Sequence, residues 1–340
     1  MKFRKLELAN DFIDYQKYID IQSKSMLYHN LKFINFIAKI LQAEKELFAV
    51  YDNDKITAVC PWIVKKGNAG KVYNSLAYFG SNGGIIANDK ESKESIEAQM
   101  LDYLNKNASA FAYVSNLFED NRLKHNSDYI TLERLAQVAI LPDNVVNNGE
   151  NILEIFHYKT RNMVRKGLKE NIVFRTTDDF SFLQKTHCKN MEAVGIAPKE
   201  ALFFENLPNF FENGKDFQVY EALIDGVQAC ALLVFYHQET VEYYMPAILA
   251  EYRDKQALSA LIFYTMQQEV NKGRNIWNWG GTPKSNENLY RFKARWGSTD
   301  YPYFYQIKIN DKAIFKRSVE EITNQYQGLF VAPFDMLNGN

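Results

Sequence analysis

The stretch NIWNWGGTPKSNENLYRFKARWG, residues 275–297, holds three tryptophans, a glycine pair and four basic side chains. Wound as a helix from Leu289, a turn of about 100° per residue brings Phe292, Lys293 and Trp296 within roughly 60° of it, so a lysine shares the apolar stripe. Arg291 and Arg295 fall on the opposite face, where a solvated basic side chain belongs. An ammonium held against aromatic rings in a water-poor site would act strongly on a developing negative charge. Lys293 is therefore a candidate to stabilise an oxyanion that forms during a reaction. The competing reading is a surface lysine whose stem lies on apolar surface. Gly280 and Gly281 permit a sharp turn and close approach of a substrate, and Ser285 or Asn286 could cap the helix. On VEYYMPA, Glu242 and Tyr244 share one strand face, opposite Val241, Tyr243 and Met245. Either could accept a proton or anchor a water, with plain strand packing as the alternative.

The elements that must position these residues repeat. Residues 46–66 read as strand, polar turn at Asn53 and Asp54, and strand; residues 216–238 do the same around Asp225 and Gly226. More strand follows each hairpin, then a helix (92–107 and 254–273, the second stopped by Gly273), then a final strand, AFAYVSN or NIWNW. A tandem α/β duplication accounts for this more economically than one irregular domain. The polar, turn-rich residues 141–151 mark the junction, giving domains at 1–145 and 146–340. Just past it, Arg161, Arg165 and Lys169 line one face of a helix, either a solvated linker or a clamp for phosphates.

Bulk composition narrows the field. The 340 residues suit two domains, 24% charged and 46% hydrophobic composition is globular, and a net charge of −1 gives no whole-molecule attraction to nucleic acid or anionic membrane. The N-terminus lacks an apolar leader and no run is long enough to span a bilayer, so a cytoplasmic protein is expected, peripheral at most to the inner membrane surface. Three widely spaced cysteines fit a reduced compartment as small buried hydrophobes, and no spacing suggests a metal site.

Several stretches resemble the Fem-like branch of the GNAT superfamily. MLYHNLKFINFIAKIL with the hairpin after it is similar to that family's opening, NSLAYFGSNGGII to the small-residue loop ending the first-domain strands, and YKTRNMVRKGLKENIVFR to the basic helix opening the second domain. GGTPKSNENLYRFKARWG resembles the closing signature, a glycine turn and a short helix carrying Phe-Lys and ending in glycine. The resemblance implies an α/β fold of two tandem GNAT-like domains, mixed sheets flanked by helices, the first domain degenerate and the second catalytic. It implies transfer of an aminoacyl or acyl group onto an amine of a peptidoglycan or surface-polysaccharide precursor, with Phe292 and Lys293 in the oxyanion role.

Around a nucleotide- or lipid-linked sugar or peptide acceptor we place Tyr28, His29, Lys32, the loop Ser81, Asn82, Gly83 and Gly84, Arg161, Arg165, and the glycines 280 and 281. Donor contacts fall on Arg253, Lys255, Gln256 and Ala257. There the sequence departs from CoA-dependent relatives: EYRDKQALS has no glycine-rich turn to bring backbone N–H groups onto a pyrophosphate. No permanently bound cofactor is expected; aminoacyl-tRNA is the preferred co-substrate and acyl-CoA the alternative. Two other functions compete, an acyl-CoA-dependent N-acetyltransferase acting on an amino sugar and a non-catalytic precursor-binding module. The apolar placement of Lys293 favours an enzyme.

Overall fold

The computed structural model describes residues 1–78, 80–118, 122–124, 128–283 and 286–337. The chain forms two compact units, unit 1 of Met1–Arg134 and Pro302–Asn340 and unit 2 of Leu135–Tyr301.

Unit 1 runs β1 (Lys2–Lys5), α1 (Ala9–Asp20), α2 (Leu31–Ile40), β2 (Glu44–Asp52), β3 (Lys55–Gly67), β4 (Gly70–Asn74), β5 (Ile86–Ala87), α3 (Lys90–Asn107) and β6 (Ala110–Val114). β7 (Ile130–Ile140) leads into unit 2, which continues α4 (Glu150–Glu154), α5 (Tyr158–Leu168), β8 (Ile172–Thr177), α6 (Ser181–Glu192) and α7 (Ala201–Phe210). There follow β9 (Phe217–Ile224), β10 (Val227–His237), β11 (Thr240–Ile248), α8 (Ala257–Val270), β12 (Ile276–Thr282) and α9 (Glu287–Ala294). β13 (Thr299–Ile309) returns to unit 1, where α10 (Val319–Gln325) also lies.

The strand order is β1-β2-β3-β4-β6-β13 in unit 1, with β5 on β3, and β8-β9-β10-β11-β12-β7 in unit 2. The two match place for place: β4 with β6 and β11 with β12 are parallel, and each pair is joined by the long helix, α3 or α8. The duplicated order expected for residues 46–116 and 216–280 is present. Its hairpins turn where the sequence puts them, with φ of 46° and 64° at Asn53 and Asp54 and 52° and 78° at Asp225 and Gly226. Two consecutive positive φ values match the right-handed twist of the flanking strands.

The last strand of each unit comes from the other half of the chain. β7 follows β6 but pairs with β12, and β13 follows β12 but pairs with β6. A cut at residues 145/146 therefore differs from the observed division, in which residues 302–340 group with unit 1.

Each core lies between its sheet and its long helix. In unit 1, Trp62, Tyr73, Phe111 and Tyr113 pack with Ile96, Met100 and Leu104 of α3. In unit 2, Tyr220, Val234, Trp277 and Trp279 pack with Leu261, Ile262 and Met266 of α8. Both cores also bury a carboxylate that is fully engaged, as burial of a charge requires. Glu46 takes Lys5 at 3.0 Å and the Tyr103 hydroxyl at 2.9 Å. Glu269 takes Lys272 at 3.0 Å, Arg274 at 2.8 Å and the Tyr236 hydroxyl at 2.9 Å.

Candidate active site

α9 starts at Asn286, whose Oδ1 accepts from Leu289 N at 3.0 Å; Ser285 lies outside the described residues. The helix ends before Gly297, which has φ 77° and sits so close to Ile155 that a Cβ would be 2.5 Å from its carbonyl oxygen. Glycine is required there on both counts. Between these ends Phe292 and Trp296 pack on Trp279, ring centroids 5.8 and 5.5 Å apart, and Lys293 is buried at 4% exposure. The helical stripe is as the sequence predicts, but the ammonium is not laid on the rings. Its Nζ donates to the carbonyls of Gly281 at 3.0 Å and Gly280 at 3.3 Å. A buried ammonium needs acceptors for its protons, which ring faces supply less well than carbonyls. Burial also lowers the Lys293 pKa to about 8.

The glycine turn connects this lysine to a carboxylate. Gly280 N donates to Asn278 Oδ1 at 2.9 Å, and Asn278 Nδ2 donates to Glu242 Oε2 at 2.8 Å. Lys293, Gly280, Asn278 and Glu242 thus form one hydrogen-bonded path. Its place in the sheet is specific: β11 and β12 pair only over Thr240–Glu242 and Ile276–Asn278, so Glu242 and Asn278 are the last rung before the parallel strands part. Past that rung β11 stays on β10 and β12 on β7. Gly280 has φ 72°, and no described atom lies within 4 Å of where its Cβ would be.

Tyr244, two residues beyond Glu242, occupies a bulge against β10. Its ring is stacked at 5.8 Å on Phe203 of α7 and meets Phe235 edge-on at 4.8 Å. Lys199, which sequence reasoning passed over, places Nζ 4.9 Å from the Tyr244 ring and 5.2 Å from the Phe203 ring. Burial lowers its pKa to about 7. His187 Nε2 accepts from Lys199 N at 3.2 Å, and burial, with the Lys199 charge second, lowers the imidazole pKa to about 4. Neither residue had a signal: one follows a Gly/Pro-containing turn and the other is a single histidine on a helix.

The donor positions lie in the turn that starts α8. Gln256 adopts φ 60°, a left-handed conformation usually left to glycine, and caps α8 with Ala257 fully buried behind it. The bend is made without the glycine. α5 lies against this helix start, since a Cβ on Gly167 would be 2.6 Å from Gln256 O and 2.9 Å from Ala260 Cβ. Lys255 is held by Glu170 at 3.6 Å and lies 5.6 Å from the Tyr252 ring, while the Arg253 carbonyl accepts from Gln256 N at 3.0 Å.

The acceptor positions are divided. In unit 2, Arg161 donates to the Phe156 carbonyl at 3.0 Å and Arg165 pairs with Glu150 at 3.0 Å, so both arginines are engaged within their own helical segment. In unit 1, Tyr28 and His29 are buried, His29 Nδ1 accepting from Met26 N at 3.2 Å, while Lys32 is exposed on α2. Ser81 to Gly84 are buried, not displayed as a surface loop. A Cβ on Gly83 would be 3.1 Å from Ser75 O, and one on Gly84 2.5 Å from Val114 O and 2.6 Å from the Tyr113 hydroxyl. The loop therefore fits against the ends of both β4 and β6. Asn82 has both amide atoms buried without a hydrogen-bond partner among the described residues.

No protein-family model and no curated protein matches the chain. Solved structures do. A crystal structure of FemX superposes with a TM-score of 0.69 at 14% identity, covering 92% of this chain and 98% of that one. The C-terminal domain of a putative lysylphosphatidylglycerol synthetase from Agrobacterium fabrum gives 0.58 at 10% identity, covering 95% and 99%. A tandem GNAT protein from the clavulanic acid biosynthesis pathway gives 0.51 at 11% identity, covering 91% and 98%. At these identities the likeness concerns architecture: the chain has the tandem GNAT-like, Fem-like fold. Among the described residues no helix is long and apolar enough to cross a membrane.

Proposed function

We propose that the protein is a Fem-like N-acyltransferase that moves an aminoacyl or acyl group onto an amine of a nucleotide- or lipid-linked cell-envelope precursor. The observation that carries this reading is the path from Lys293 through the glycine turn to Glu242, set where two parallel strands part. The acceptor amine attacks the carbonyl carbon of the donor ester, and the electron pair moves to the carbonyl oxygen. The Lys293 ammonium stabilises that oxyanion. Glu242, oriented by Asn278, takes the proton the amine loses and returns it to the leaving oxygen or sulfur as the intermediate collapses to the amide and the donor's free hydroxyl or thiol. Lys199, against Tyr244 and Phe203, suits an anionic group of the acceptor.

Aminoacyl-tRNA is the favoured donor because the turn before α8 lacks the glycines that would let a CoA pyrophosphate reach its backbone N–H groups. Acyl-CoA is kept as a second reading on one observation: Gln256 already makes the bend a glycine turn would make. Calorimetry with acetyl-CoA separates them, with micromolar affinity in the absence of tRNA overturning the first.

For the chemistry, Lys293→Met should lower kcat roughly a hundredfold or more, about 3 kcal/mol, with KM little changed. Because only the charged form stabilises an oxyanion, wild-type kcat/KM should fall as pH rises through about 8. A lysine that only braces the two glycine carbonyls would give a folded Met variant with near-normal turnover, or one inactive through unfolding visible by circular dichroism. Either result removes the proposed role.

A further inference from the structure

Unit 1 encloses a cavity of about 300 Å³ that the acyl-transfer reading leaves unused. One wall is the end of β4 and the residues after it, including Leu76 and Tyr78; the other is the chain from Ile322 of α10 to Phe334. Among the described residues its lining side chains are uncharged, mainly Leu76, Ile322, Leu329, Phe330 and Val331, with Thr323 and Gln327 beside them. The walls are pinned by hydrogen bonds. Asn74 Nδ2 donates to the Phe330 carbonyl at 2.8 Å and Asn74 Oδ1 accepts from Phe330 N at 2.6 Å. Tyr78 N donates to Gly328 O at 2.6 Å, and the Tyr326 hydroxyl to Gly70 O at 2.8 Å. A space whose walls are tied by hydrogen bonds is preformed, so a ligand meets little ordering cost on entering it.

Its rim carries two exposed apolar side chains, with the exposed Asp335 between them. Phe334 is 57% exposed and Met336, just past it, 40%. A charged ligand would lose its hydration inside without recovering an ion pair. An uncharged chain loses nothing of the kind, and the exposed Phe334 and Met336 would continue its contact at the mouth. We propose that this cavity binds a single hydrocarbon chain, entering past Phe334. The proposal stands apart from the acyl-transfer reading, since no residue given a role there lines the cavity.

The test is saturation binding of dansyl-undecanoic acid to the intact protein, followed by the blue shift of the dansyl emission, with dodecanol as uncharged competitor. One saturable site per chain, displaced by dodecanol, is expected. Phe334→Ser, an exposed position that leaves the fold alone, should weaken binding about tenfold, and Ala332→Phe, which fills the space, should abolish it. Should Ala332→Phe not fold, Phe334→Ser and dodecanol still decide. Co-sedimentation with phosphatidylcholine vesicles then identifies the source: loss of vesicle binding in Phe334→Ser means a bilayer lipid, and binding of the free probe alone means a free chain. Absence of a saturable site, or wild-type binding in both folded variants, overturns the proposal.

Discussion

In unit 1 the parallel pair β4 and β6 holds together over three rungs, Val72–Asn74 on Ala110–Ala112, and the pair β11 and β12 of unit 2 does so over three as well. What lies beyond the last rung differs. In unit 1 the buried Gly83 and Gly84 press on the ends of both strands, Ser75 Oγ accepts from Val114 N at 2.8 Å, and the Tyr113 hydroxyl accepts from Ile85 N at 3.1 Å. In unit 2 the glycine past the last rung of β12 has no described atom within 4 Å of where its Cβ would be, and it is flanked by Lys293 on its carbonyl and Asn278 on its amide. Parting strands expose backbone groups that must find partners. Unit 1 finds them within its own chain, whereas unit 2 keeps polar groups and room at the same point. One topology thus serves as a closed structural unit and as an open candidate site.

The largest test of this contrast is Gly84→Ala. A methyl 2.5 Å from the Val114 carbonyl, on a residue with φ 81°, combines a clash with backbone strain. We expect a loss of about 3 kcal/mol or more, a fall of roughly 5–10 °C in Tm by calorimetry. A change of under about 1 °C would mean that the loop does not seal unit 1.

How the two ends would look was only partly legible beforehand. Both hairpins announced themselves through alternating apolar residues and turn pairs that accept positive φ, and the α9 stripe through its period. Those signals are local. The exchange of β7 and β13 was not readable, because periodicity says that a segment is a strand and not which edge it joins. Lys293 shows the same limit within one residue: spacing chose its helix face, while the carbonyls that receive its protons come from a turn twelve residues back. The loop at Ser81–Gly84 read as small residues free to bind, since burial of a glycine loop depends on neighbours far along the chain. Lys199 and His187 meet where the segment after α6 folds back on that helix, which no spacing encodes.

A smaller effect concerns acid. His187 and His237, both in unit 2, are buried and titrate near 4 when folded, His237 through burial alone, against 6.5 when free. Between those values the unfolded chain binds protons the folded one does not, so stability is lost as pH falls from about 6.5 to 4. The well-buried His237 contributes about 3 kcal/mol over that range, and His187, less deeply buried and so more screened by solvent, contributes less. His237→Gln should shallow the fall of Tm between pH 7 and 4. An unchanged slope would place the acid sensitivity elsewhere.

The smallest expected change in stability is at Gly280, where the comparison is most directly open to refutation. Alanine there meets no described atom and carries only the strain of φ 72°, about 1 kcal/mol, so Tm should drop by only a few degrees. Gly84→Ala, with nearly the same φ, should cost several times as much, since its new methyl meets protein. For activity the ranking should reverse. If substrate crosses the open end of β11 and β12, a methyl on Gly280 intrudes on the bound molecule next to the carbonyl that Lys293 holds. KM should rise about tenfold or more while the fold survives, and Gly84→Ala assayed well below its Tm should keep a near-normal KM. Equal KM values in wild type and Gly280→Ala would show that the gap in unit 2 is empty space and not a substrate path, and the distinction between a sealed unit and an open one would then carry no functional meaning.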